Sequence, residues 1–322
     1  MRISYSLGSL LTIEQVLECS RILSATKTDT VWIPETWGME NFTMLGIVSQ
    51  YSQNSKIGSS IINIYSRSPS SIAMGAATID TVSKGRLILG LGTSSIPIVE
   101  DFHGYKFEKP VTRMKEYVEI IRLALSGKKI SYDGRIFNLK NFSLLIKPPR
   151  EHIPIYLAAV NQKMVNLAWE IADGVIFYLR PINELKETIQ KMQQKKKLDV
   201  TCQLITCVSE DSEVARTRAK QTLAFYVSVG KIYREFLAKH GYESETSQIF
   251  EEFKRSGFKT NYELVTDKML SELTVCGTPD ECKKQLVKFN ETGINLPIIQ
   301  FNPVGDVGDS FKLFVKTFSD EK

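Results

Sequence analysis

One rhythm runs the length of this chain and narrows the fold more than any other feature: a short β-branched or aliphatic run, a turn, then a longer stretch with apolar residues at helical spacing. Parallel strands cannot be joined by a tight turn, so each needs a crossover, and a helix that covers the sheet face supplies it. Strands are expected at residues 3–6, 31–33, 56–62, 87–91, 154–158, 175–178, 200–208 and 296–301. The run from Leu87 to Leu91 is apolar throughout, as a strand buried on both faces should be. Helices are expected at about 12–25, 43–52, from Ser68, at 114–125, 164–172 and 183–196, from Thr278, and at 309–318. Met114, Tyr117, Val118, Ile121 and Leu125 fall on one helical face. Ser68-Pro69 reads as an N-cap with proline at the first helical position, and Thr278-Pro279-Asp280-Glu281 as a capping box. Eight strand–helix units are what a closed barrel requires, so the predicted fold class is α/β, a (β/α)8 TIM barrel.

Two stretches depart from that plan. Residues 129–148 alternate in short pieces around Asp133-Gly134, a hairpin signal, and about 211–272 is helical beyond what a simple barrel needs. That insertion would pack over one end or form a subunit contact. No Pro/Gly/Ser linker interrupts the chain, so residues 1–322 are expected to form a single domain.

With 43% hydrophobic and 24% charged residues the composition is that of a globular protein. The net charge of +5 comes from scattered Lys and Arg, with only short runs such as Lys195–Lys197, which argues against a nucleic-acid partner. No run of about 18 apolar residues and no leader-like start are present, so neither a membrane span nor a secretory signal is expected. Five cysteines form no CxxC pair and read as reduced thiols of a cytoplasmic protein. Three dispersed histidines give no metal-ligand spacing, and no metal is expected.

In a barrel of this class the working residues come from the loops that follow the strands. Pro34-Glu35-Thr36-Trp37 sets a carboxylate beside an indole. It is either a substrate or proton-transfer pair, with acidity tuned by burial, or a surface glutamate next to a packing tryptophan. Asn63 and Tyr65 offer polar groups and Arg67 a cation before the Ser68-Pro69 cap, which is also the make-up of an ordinary βα turn. Gly90-Leu91-Gly92-Thr93-Ser94-Ser95 places small and hydroxyl-bearing residues where a ligand can approach the backbone. Without glycine or alanine at Ser95 it is no dinucleotide fingerprint. Downstream, His103 is the only histidine read at a strand's C-terminal end, catalytic or structural. Ala159-Val160-Asn161 leads into a helix whose N–H groups suit a phosphate, as every such helix start does.

From Lys56 onward the chain resembles a known family. Gly58-Ser59-Ser60-Ile61-Ile62-Asn63-Ile64-Tyr65-Ser66-Arg67-Ser68-Pro69, then Ala76-Ala77-Thr78-Ile79-Asp80 and Gly85-Arg86-Leu87-Ile88-Leu89-Gly90-Leu91-Gly92, resemble the luciferase-like monooxygenase superfamily. The coenzyme F420-dependent branch typified by methylenetetrahydromethanopterin reductase is the most similar. Pro154-Ile155-Tyr156-Leu157-Ala158-Ala159, Ile171-Ala172-Asp173-Gly174 and Gly277-Thr278-Pro279-Asp280 extend the likeness, which is thin from Arg180 to Leu273.

The resemblance implies a deazaflavin at the C-terminal mouth of a barrel, backed by a cis peptide at Ser60-Ile61. Cofactor contacts would come from Ser60, Ile61, Asn63, Thr93 and Ser94, with the phosphate-bearing tail near Ala159, Val160, Asn161, Phe177 and Tyr178. It makes Glu35 and His103 the catalytic candidates and places Ser6, Trp37 and Tyr65 on the substrate side. Ser6 stands where the reductase has glutamate, and Glu35 where it has aspartate. The implied reaction is hydride transfer between the deazaflavin C5 and a small organic substrate, a methylenetetrahydromethanopterin-like C1 carrier being one option. A luciferase-like monooxygenase using reduced FMN and oxygen is the alternative; the two differ chemically, because the deazaflavin's carbon at ring position 5 cannot form the flavin peroxide that oxygen insertion needs. A non-catalytic flavin-binding barrel is a third reading, kept open by Ser6. Relatives imply a homodimer or homotetramer.

Overall fold

The computed structural model describes residues 2–8 and 10–319. In chain order the first elements are β1 (Ser4–Ser6), α1 (Ile13–Ser24), β2 (Thr30–Ile33), α2 (Asn41–Tyr51), β3 (Lys56–Ser59), β4 (Ile62–Asn63), α3 (Pro69–Val82), β5 (Leu87–Gly92) and α4 (Pro110–Leu125). Then follow β6 (Ile130–Asp133), β7 (Asn138–Phe142), β8 (Ile155–Ala158), α5 (Gln162–Ile171), β9 (Gly174–Tyr178), α6 (Ile182–Gln193) and β10 (Asp199–Val208). The last are α7 (Ser212–Val229), α8 (Lys231–Leu237), α9 (Glu243–Ser256), α10 (Asp267–Leu273), β11 (Thr274–Gly277), α11 (Pro279–Asn290), β12 (Leu296–Phe301) and α12 (Val307–Phe318). The chain divides into two compact units. Among the described residues no helix is long and apolar enough to cross a membrane.

The unit formed by Leu7–Ser24 and Asp29–Ile176 carries the parallel order β2-β3-β5-β8-β9, with β4 beside β5. All six residues of β5 are buried, which accounts for its unbroken apolar sequence. The caps form where the residue types placed them: Ser68 Oγ accepts the Ser71 N–H at 3.1 Å, and Pro69 occupies the first turn of α3. Asp80 on α3 is fully buried yet paired, accepting from Arg150 Nη2 at 2.7 Å and from the Leu87 N–H at 3.2 Å. The antiparallel pair β6–β7 is tied to α4 by the Glu116 carboxylate, which accepts the N–H groups of Arg135 at 2.8 Å and Phe137 at 3.0 Å.

Among the boundaries that differ from the sequence reading, two border the candidate site. The expected strand 56–62 is broken into β3 and β4 at the cis peptide between Ser60 and Ile61. Helix α2 begins at Asn41 rather than 43, because the Glu40 carboxylate caps it, accepting the Thr43 N–H at 2.7 Å. Glutamate is not a favoured N-cap, so the sequence carried no signal.

The unit formed by residues 1–6, 25–28 and 177–322 carries the parallel order β11-β10-β12-β1. One apolar layer gathers Tyr5, Phe301, Phe311, Phe314 and Phe318 with ring centroids 4.9–6.0 Å apart. A second packs α7, α8, α9 and α10 on β10 and β11 through Ala215, Ala219, Leu223, Leu237, Ile249 and Leu270. Strand β11 was not foreseen: it follows α10, which ends at Leu273, with no turn residue to set it off before the Thr278 capping box.

Candidate active site

The end of β3 is drawn unusually close to β5. Ser59 Oγ donates to the Gly90 carbonyl and accepts the Gly90 N–H, both at 2.8 Å. A Cβ on Gly90 would lie 1.9 Å from the Ser59 carbonyl oxygen, so only glycine permits the approach. The chain then passes through the cis Ser60-Ile61 bond, the Ser60 N–H donating to the Ile33 carbonyl at 3.0 Å. Ile61 leans on Gly92, where an added Cβ would meet its Cδ1 at 2.5 Å.

Two polar groups at this bend stand out. Ser60 Oγ and Asn63 Nδ2 are buried and make no hydrogen bond within the protein. The Asn63 amide is oriented by its other end, where Oδ1 accepts the Tyr65 N–H at 2.9 Å. Leaving a buried donor unmet costs about 1–3 kcal/mol, so such groups are rare and point to a ligand.

Glu35 is placed directly behind this bend, hydrogen-bonded to its backbone. Its Oε2 accepts from Arg67 Nη1 at 2.8 Å and the Asn63 N–H at 3.3 Å. Its Oε1 accepts from Arg67 Nη2 at 2.6 Å and the Asn41 N–H at 3.2 Å. A carboxylate has about four lone-pair sites, and all are engaged, leaving none to abstract a proton. Glu35 is thus held in a clamp with Arg67, Asn41 and Asn63. Arg67 is shared with Glu40, and its carbonyl accepts the Tyr117 hydroxyl at 2.6 Å. Burial works against the Arg67 charge, but Glu35 and Glu40 outweigh it and hold the guanidinium above its ordinary range.

Other expected residues fall as follows. Thr93 and Ser94 are half-buried at the end of β5, Ser94 with φ of 58°. Trp37 is 58% exposed. Tyr65 is buried and already used: its hydroxyl donates to the Glu108 carbonyl at 2.9 Å and its ring stacks on Phe107 at 5.3 Å. His103 does not end a strand; it follows the short π-helix Ile98–Phe102, its ring edge-on to Phe102 at 4.9 Å. The Ala159 N–H donates to the Ile176 carbonyl at 3.2 Å within the sheet ladder, so it is not available to a phosphate as expected. Asn161 caps α5, accepting the Met164 N–H at 3.0 Å, and Val160 links it to Ala159.

In the other unit, Ser6 is buried at the end of β1, in register with Gln300. Phe177 is buried under the Arg180 guanidinium, 4.5 Å from its ring centroid, and Arg180 pairs with Glu184. Tyr178 ends β9 among the rings of Tyr226 and Tyr233. Those last two, together with Gln300 and the Ser59–Gly90 staple, are features that sequence reasoning missed. They are ordinary residue types, brought to strand ends only by the fold.

Known proteins show the same organisation. The family described as luciferase-like monooxygenase matches residues 2–296. A 5,10-methylenetetrahydromethanopterin reductase from Archaeoglobus fulgidus is 30% identical over 86% of each chain. Among solved structures, the coenzyme F420 dependent tetrahydromethanopterin reductase from Methanopyrus kandleri superimposes with a TM-score of 0.85 at 20% identity, covering 97% of this chain and 96% of that one. The oxygenating constituent of 3,6-diketocamphane monooxygenase from Pseudomonas putida, in complex with FMN, gives a TM-score of 0.71 at 12% identity, covering 100% and 97%. At such identities the two superpositions speak for the fold, the luciferase-like (β/α)8 TIM barrel. The chain belongs to the luciferase-like monooxygenase family.

Proposed function

We propose that the protein is an oxidoreductase that binds coenzyme F420 and moves a hydride between it and a small organic substrate. The observation that carries this reading is the pair of unmet buried groups, Ser60 Oγ and Asn63 Nδ2, at the glycine-lined bend of β3. A flat heteroaromatic ring edged with carbonyl and N–H groups meets both needs, an acceptor for the amide and a partner for the hydroxyl. Similarity to the Archaeoglobus fulgidus reductase supports the choice of a deazaflavin. When bound, the cofactor supplies hydride chemistry at C5; the protein supplies position and exclusion of water.

In this reading Ile61, wedged against Gly92, presents the surface on which the ring rests. The Glu35–Arg67 pair holds the backbone of Asn63 so that its amide stays aimed. Thr93 and Ser94, at the adjoining end of β5, offer hydroxyls along the same edge. Ser6 brings no carboxylate to the end of β1, so protonation during turnover falls to another group or to water. A methanopterin-like C1 carrier is one substrate class within this reading.

Titration of the apoprotein with coenzyme F420 and, separately, with FMN tests the assignment. Micromolar binding of coenzyme F420 is expected, with FMN much weaker. FMN binding without coenzyme F420 binding would transfer the protein to the monooxygenase reading, and binding of neither would leave a barrel without flavin-type chemistry.

A further inference from the structure

The connection from α4 to β8 holds most of the molecule's excess charge. Residues 126–154 carry six Lys and Arg against Asp133 and Glu151, a surplus of four where the whole chain has a surplus of five. Arg150 is consumed by the buried Asp80 at 2.7 Å. Lys128, Lys129, Lys140 and Lys147 are exposed and enter no ion pair among the described residues. On α9 and α12, by contrast, exposed lysines are matched one turn away, Lys254 by Glu251 at 2.8 Å and Lys312 by Asp309 at 3.4 Å.

The same connection displays apolar side chains. In the β6–β7 ladder Ile130 stands opposite Phe142; Ile130 is buried, whereas Phe142 is 76% exposed. The pairing shifts register between Ile130 and Tyr132, and Asn141 takes φ of 52°, so the alternation breaks just before Phe142. Leu145 is 104% exposed, as open as in an extended chain, which puts it on a convex tip. Sequence order sets Lys140 and Lys147 on either side of these two residues, and the ladder sets Lys129 beside Ile130, across from Phe142. The base beneath them is fixed: Glu116 on α4 accepts the N–H groups of residues 135–137, and the Tyr132 hydroxyl donates to Glu119 at 2.5 Å. The connection enters β8 at that strand's start. Because β3, β5 and β8 run parallel, this is the end opposite to the bend that follows β3.

We propose that this connection docks the protein on an anionic lipid bilayer, with Phe142 and Leu145 entering the headgroup layer and Lys128, Lys129, Lys140 and Lys147 meeting the lipid anions. A bilayer yields around a convex tip, whereas a folded partner would need a matching pocket. The cations are lysines, whose long stems lie along apolar surface while the charge stays among headgroups, and lysine is depleted from protein–protein interfaces. None of the four has an ion pair to give up on docking. Two apolar anchors and a few lysines give reversible attachment at the surface, not a span. Attachment at this end leaves the C-terminal ends of β3 and β5 open, and the proposal is independent of which cofactor binds there.

Flotation with vesicles tests it. The full chain should float with phosphatidylcholine vesicles containing about 30% phosphatidylserine at about 0.1 M salt, and should stay behind with phosphatidylcholine alone. Phe142→Ser combined with Leu145→Ser should lower the partition coefficient at least about tenfold. Lys129→Gln combined with Lys147→Gln should also lower it by about tenfold or more, each lysine contributing a factor of about five. The same loss of charge on α6, Lys191→Gln combined with Lys195→Gln, should change it by less than about twofold. All of these positions are exposed, so melting should be unaltered in every variant. No flotation with anionic vesicles would overturn the proposal and leave the patch to an acidic protein partner. Equal losses from the two lysine pairs, or undiminished flotation of the Phe142 and Leu145 variant, would overturn it too, since only the general attraction of a basic protein to a charged surface would remain.

Discussion

Glu35 and Tyr178 stand at strand ends in different units of the chain, and they divide the labour opposite to what their chemistry advertises. Glu35, the reactive-looking carboxylate, has every acceptor position filled by Arg67, Asn41 and Asn63. Tyr178, which the resemblance places beside the cofactor's tail, ends with a buried hydroxyl close to Tyr226 and Gln300 that makes no well-formed hydrogen bond. A carboxylate saturated with donors is scaffolding, while a polar atom left unmet in a buried place is where a ligand is owed a contact. The bend at Ser60 and Asn63 contains both kinds side by side, the clamp behind and the open groups in front.

The largest effect should come from breaking the close approach of β3 to β5 beside the bend. Gly90→Ala puts a methyl group against the Ser59 carbonyl, a backbone atom that cannot swing away, and should cost about 3 kcal/mol, visible as a lower urea midpoint. Next is Arg67→Leu, which strands Glu35 without its counter-charge. The pair is not fully buried, so about 2–3 kcal/mol is expected rather than the upper end for buried pairs, together with at least about a tenfold loss of coenzyme F420 affinity. Glu35→Gln sharpens the comparison at lower cost, about 1–2 kcal/mol from weaker hydrogen bonds to Arg67. Its decisive readout is the pH–rate profile: a positioning residue lowers affinity and leaves the profile's shape, whereas loss of one limb would restore Glu35 as the acid–base group. The smallest effect on stability belongs to Ser60→Ala, which removes a hydroxyl that bonds to nothing in the protein. Melting should shift by less than about 0.5 kcal/mol equivalent, while coenzyme F420 affinity falls about threefold or more.

Much of the fold was legible because it is written in periodicities. The apolar run of β5 and the i, i+3, i+4 face of α4 carry their structure locally, as do the Ser68 and Thr278 caps. Strand β11 was not legible, since it follows α10 without a turn residue and merges into the helical excursion before it. At the candidate site, Glu35, Ser60, Ile61, Asn63 and Arg67, read from two separate loops, lie together behind and along one bend. It could not say which of them would be consumed by internal hydrogen bonds. Whether a carboxylate meets four donors, or Tyr65 spends its hydroxyl on Glu108, depends on distances between segments far apart in the chain. The tyrosine cluster was hidden for the same reason, its members lying at 178, 226 and 233 with no shared motif.

The side-chain amide of Asn63 offers the most direct test that a ring binds at this bend. In 15N-labelled protein, with the resonance assigned by its absence in Asn63→Ala, saturating coenzyme F420 should move the Nδ2 protons downfield as they gain an acceptor. An Asn63 amide unmoved while coenzyme F420 binds would contradict the account.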